Sequence, residues 1–96
     1  MPIEQRSETR ERVILPVDLC AGGRGLTRDI SVSGMFIETD AEQRPGDVMD
    51  FEITLPSPGL MLKLVAQGQV VRVETSGKRF GVAIRLLSSC LKTGVQ

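Results

Sequence analysis

The chain has 96 residues, with twelve Lys or Arg against twelve Asp or Glu and no His, Trp or Tyr. That length supports one core; the composition excludes His-based catalysis and His metal ligation, and Cys20 and Cys90 alone cannot complete a four-ligand zinc site. Zero net charge argues against a general DNA- or RNA-binding domain, while the split of the cations into nine Arg and three Lys favours planar, bidentate recognition over mere solubility.

Residues 1–12 carry three Glu and three Arg and almost nothing apolar, which predicts a flexible N-terminal arm ahead of a domain over 13–96. Alternation starts at Val13: Val13, Leu15, Val17 and Leu19 share one face of a first strand, with Pro16 marking an edge or bulge. After the Ala21-Gly22-Gly23 turn, a second strand spans Leu26 to Ser31, and a third spans Met35 to Thr39 beyond Ser33-Gly34. Met49, Phe51, Ile53 and Leu55 alternate with Asp50, Glu52 and Thr54 in a fourth. Leu60 to Thr75 forms a fifth, whose phase flips near Gly68 and so predicts a bulge there. Ser76-Gly77 turns it into a sixth strand with Phe80, Val82, Ile84 and Leu86 inward. Leu87 to Gln96 has room for a short C-terminal helix at most. Phe36, Phe51, Phe80, Met35, Met49 and Met61 are assigned to the core. The expected fold is all-β, a small antiparallel six-stranded barrel.

The N-terminus lacks the apolar run of a signal peptide, and no apolar stretch approaches the length of a membrane span. Free thiols in a reducing cytoplasm are therefore expected.

Seven Ser and two Cys have no His to activate them, so no enzyme is expected. Two polar constellations remain. Arg6-Ser-Glu-Thr-Arg10, followed by Arg12, is weak alone: nine Arg give about one such pair by chance, and Arg24-Gly-Leu-Thr-Arg28 is a second. Asp29-Ile-Ser31-Val-Ser-Gly34 is more specific.

In this order the two motifs resemble the PilZ domain family, small β-barrel receptors for the bacterial second messenger cyclic di-GMP. The family pattern has R-x-x-x-R in an arm before the first strand and [DN]-x-S-x-x-G between the second and third. Leu15-Pro16-Val17, Met35-Phe36-Ile37-Glu38 and Phe80-Gly81-Val82 fit as well, and the likeness runs from Gln5 to about Leu87. The resemblance implies that Arg6, Arg10, Asp29, Ser31 and Gly34 bind cyclic di-GMP, with Gln5, Arg12, Arg28 and Ser33 as accessory contacts. Arg24 is a further accessory candidate. It implies no cofactor beyond this ligand.

The chemistry suits those residue types. An Arg fork matches the N7 and O6 acceptors of guanine or a phosphate, and its plane stacks on a base. A carboxylate at Asp29 accepts from the guanine N1 and N2 donors. Ser31 can donate to a phosphate or to nearby backbone, and Gly34 permits close approach or a positive φ. A dianionic ligand could order the arm against the barrel and so present a new surface to a partner protein, as a monomer or homodimer. The alternative is a PilZ-like adaptor that binds a protein and no nucleotide. A single-stranded nucleic-acid barrel would need basic and aromatic residues on one strand face, and this composition disfavours it.

Overall fold

The computed structural model describes residues 11–94. Seven strands follow in chain order: β1 (Glu11–Arg12), β2 (Pro16–Leu19), β3 (Arg24–Ile30), β4 (Gly34–Thr39), β5 (Val48–Leu55), β6 (Met61–Ser76) and β7 (Arg79–Gly94). All pairings are antiparallel. The order β3-β2-β5-β6-β7-β4, completed by β4 on β3, closes six strands into a barrel, with β1 a two-residue addition to β3. Closure leaves the barrel proper without a free edge.

The alternating pattern of the sequence sets which face of each strand is inside. Val17, Met35, Ile37, Phe51, Ile53, Val70 and Val82 are buried, joined by Leu19, Met49, Ala66 and Ile84. Met61, expected among them, is exposed near the end of the β6–β7 hairpin.

The first strand of the sequence reading is split in two. Glu11 and Arg12, assigned to the arm, pair with Ile30 and Asp29. Pro16 pairs only with β3, at the strand start where its missing N–H breaks no ladder bond. Between them, Thr27 acts as a latch. Its buried hydroxyl donates to the Val13 carbonyl and accepts from the Leu15 N–H at 2.8 Å, while its own N–H reaches the Leu15 carbonyl at 2.9 Å. Arg28 is an extra residue in the β3–β4 register, a bulge that turns both Arg28 and Asp29 outward.

The β6–β7 hairpin turns through Gly77-Lys78, and Gly77 has φ +62. Among the described residues no non-glycine has positive φ, so the loop follows the type II′ pattern that suits twisted strands. The phase flip of β6 falls at Val71, not Gly68: Val70 pairs with Ile84 and Arg72 with Ala83, leaving Val71 extra and exposed. Gly68 stays in phase with Ala66 and Val70; a Cβ there would collide with the Ile84 side chain. The irregularity beside Gly68 places its extra residue on β7, at Leu87.

The tail also differs from expectation. Residues 88–94 pair one for one with 61–67, so they continue β7 as strand where a short helix was allowed. β4 covers β7 only from Phe80 to Arg85. From Leu87 onward β7 has β6 on one side and no strand on the other among the described residues. Among those residues no helix is long and apolar enough to cross a membrane.

Candidate functional site

Cross-strand register assembles one row of side chains on the outer barrel face. Arg12 on β1 stands opposite Asp29 on β3, Asp29 opposite Phe36 on β4, Phe36 opposite Ala83 on β7, and Ala83 opposite Arg72 on β6. Adjacent strands lie about 4.8 Å apart, so four strand spacings separate the two arginines by roughly 19 Å along the surface. The row is one side of a groove of about 550 Å³, lined by Arg12, Asp29, Phe36 and Arg72 and completed by Ile14, Arg28 and Glu74. Its middle is kept low by small residues. A Cβ on Gly81 would lie 2.5 Å from the tip of the Phe36 ring, so glycine there gives the ring its place.

Phe36 is thus not a core residue. It follows buried Met35 and precedes buried Ile37, and alternation turns its ring outward. Phe51 is fully buried and Phe80 packs against the core, as expected. Phe36, Arg72, Glu74 and Ile14 escaped the sequence reading. The alternation in β4 was available to find Phe36. Arg72 needed the position of the Val71 bulge and the knowledge that β6 and β4 flank β7.

Two of the groove's cations already have carboxylate neighbours. Arg28 pairs with Glu38, and Arg72 Nε lies 3.0 Å from Glu74 Oε2. Arg85 stands opposite Gly34, one step along the same face, and its guanidinium donates to Gln69 at 2.7 Å. Arg24 lies 3.7 Å from Asp18 and lines a separate groove with Pro16, Asp40 and Arg79.

The turn that follows Asp29 is built by its own backbone. The Ser31 N–H donates to the Gly34 carbonyl at 2.8 Å, and the Ser31 hydroxyl donates to the same oxygen at 3.2 Å. Of the two uses open to Ser31, the structure displays the backbone one, and the residue is buried. The Ser33 carbonyl accepts from the Leu86 N–H at 2.9 Å, tying the turn to β7. Gly34 does not have positive φ. Its missing Cβ makes room for the chain: a Cβ would collide with the Ile84 carbonyl oxygen across the β4–β7 seam.

Of the residues singled out in sequence, the groove therefore brings together Asp29, Arg12 and Arg28. Ser31, Ser33 and Gly34 form the adjoining turn. Gln5, Arg6 and Arg10 lie outside the described residues. No group of three or more His, Cys, Asp or Glu side chains that could hold a metal ion occurs among the described residues. Cys20 and Cys90 are free and exposed.

The groove offers guanidinium forks at both rims, a carboxylate beside each, and an aromatic face between. Chemically it can take a flat, polyanionic ligand that carries hydrogen-bond donors.

Comparison with known proteins agrees with the architecture. The sequence matches the PilZ domain over residues 4–93. The fold resembles the Bacillus subtilis inhibitor of motility MotI/DgrA with a TM-score of 0.77 at 17% identity, covering 92% of this chain and 45% of that one. It also resembles the PilZ domain of YcgR from Escherichia coli, solved with c-di-GMP, with a TM-score of 0.67 at 17% identity over 88% of this chain and 79% of that one. The chain spans less than half the length of MotI/DgrA and 39% of the longer YcgR structure. No curated protein matches the sequence.

Proposed function

Because the chain belongs to the PilZ domain family, we propose that it is a receptor for cyclic di-GMP and relays the signal to a partner protein. The observation that carries this reading is the pairing of Arg12 with Asp29 at the rim of the groove. Arg10 precedes Arg12 by two residues, and two residues of chain reach at most about 7 Å. The covalent chain therefore gives the Arg6–Arg10 motif access to the groove that holds Asp29. The YcgR domain solved with c-di-GMP shares this fold.

In this reading Arg6 and Arg10 clamp phosphate and guanine from the arm side, and Asp29 accepts from the guanine Watson–Crick edge. The turn of Ser31, Ser33 and Gly34 supports the site from beneath. Arg12 and Arg28 add charge at the rim. Binding draws residues 1–10 onto the barrel, and the composite surface meets the partner. The free, exposed cysteines suit a reducing compartment, and the reading places the protein in the bacterial cytoplasm.

Calorimetric titration with cyclic di-GMP, with GTP and GMP as controls, tests it. Heat of binding for the cyclic dinucleotide alone is expected; none at tens of micromolar protein would overturn the reading. The alternative, a protein-binding adaptor without nucleotide, draws on the fact that Glu38 and Glu74 already neutralise two groove arginines. The same titration decides between the two.

A further inference from the structure

Arg72 and Glu74 sit at the rim of the groove far from β1, and neither belongs to the two sequence motifs. Both lie on the outward phase of β6 after the Val71 bulge, two residues apart and so on one face. Their side chains are 60% and 58% exposed, yet they face each other at 3.0 Å across the Nε edge of the guanidinium. That edge is one a phosphate would take in a two-bond contact. A carboxylate that lines an anion site lowers its affinity by occupying the cation that the anion needs.

We propose that Arg72 is a further phosphate contact of the groove and that Glu74 is its built-in competitor, setting the ligand concentration at which the site fills. This rests on the cyclic di-GMP reading. The row places Arg72 at the far rim from Arg12, so a ligand lying across Phe36 and Ala83 reaches a guanidinium at both ends. Taking Arg72 requires the ligand phosphate to displace Glu74. The exchange swaps one charge-assisted pair for another, and the carboxylate released returns to water. An exposed pair of this kind is weak enough to yield to a multiply anchored dianion.

Calorimetry on the full chain tests the proposal with Arg72→Ala, Glu74→Gln, the double variant, and Glu52→Gln as a charge control. Glu52 pairs with Lys63 on the β5–β6 surface, away from the groove. Both groove residues are exposed, so all variants should melt like the parent chain. Arg72→Ala should weaken cyclic di-GMP binding about tenfold, as loss of one charge-assisted contact does. Glu74→Gln should tighten it about fivefold, in the range of an exposed charge interaction. In the Arg72→Ala background Glu74→Gln should change affinity by less than about twofold, because the competitor has nothing left to hold. Glu52→Gln should have no effect. Equal tightening by Glu74→Gln with and without Arg72 would overturn the competitor role, since that is a general charge effect. If Asp29→Ala abolishes binding while Arg72→Ala leaves it within twofold, this proposal falls and the receptor reading stands. If the parent chain gives no heat, both fall.

Discussion

Arg10 and Gly34 represent two kinds of motif residue. Arg10→Ala or Arg6→Ala removes a charged fork from a segment that supplies none of the described core. Each should cost about 2 kcal/mol of binding, roughly 30-fold in Kd, with the melting temperature unchanged. Titration and a thermal melt on the same samples check both halves; a drop of many degrees would make the arm structural. Gly34→Ala should behave the other way. Its new Cβ collides with the Ile84 carbonyl, so β4 and β7 must separate there. Overpacking of this kind costs about 1–3 kcal/mol, and for a domain of this size each kcal/mol lowers Tm by about 4–8 °C. The melt should show that loss before any ligand is added. A motif glycine can thus be required by the fold, and its presence alone says little about a ligand.

At the scale of elements, the bulges decide where the chemistry faces. Were Val71 paired in regular register and not bulged, Arg72 would take the inward phase and Val73, which packs on the core, would turn out. Deleting Val71 should therefore remove the bulge and leave Val70 opposite Ile84 and Arg72 opposite Ala83, with Arg72 still outward. The expected result is a chain that still melts cooperatively, monitored by circular dichroism; loss of the cooperative melt would show that the fold needs the local bend of the bulge. The strands themselves were legible. Met49, Phe51, Ile53 and Leu55 alternate without interruption, and they form the buried face of β5 apart from half-buried Leu55. An irregularity at Gly68 was legible and is present, with its extra residue on β7, whereas the bulge at Val71 that flips the phase of β6 was not located. A glycine inside a strand has two physical causes, a bulge or a tight neighbour, and here Ile84 is the neighbour. The tail from Leu87 to Gln96 was read as holding a short helical turn at most, and Leu87 to Leu91 lacks strict alternation. The Leu87 bulge breaks that pattern without ending the strand. Of the site, Asp29 and its turn were visible as a motif, whereas Arg72 and Phe36 became neighbours of Asp29 only through pairing between distant strands. Periodicity reports in and out along one strand and carries no information about which strand lies beside it.

For the whole molecule, zero net charge sets how a ligand is gathered. No long-range field pulls an anion toward this chain. Attraction begins only within about 10 Å of the groove at 0.1 M salt. Affinity for a dianion should then fall with salt, but gently, because some of the guanidinium contacts already exchange one carboxylate for one phosphate. Raising sodium chloride from 50 to 500 mM should weaken cyclic di-GMP binding by about tenfold or less, measured by titration at each salt; a fall of several decades would point to a diffuse, charge-driven mode instead.

The five-strand row has a consequence for how this domain tolerates change in length. Arg12, Asp29, Phe36, Ala83 and Arg72 share a face only because every intervening strand keeps its count. One residue gained or lost at a regularly paired position between the bulges and the row reverses the side on which a member of the row emerges. The connections at 40–47 and 56–60 carry no member of it and lead into and out of β5, which contributes none. Those two loops are where homologues can drift in length and where a reporter can be spliced in without disturbing the site.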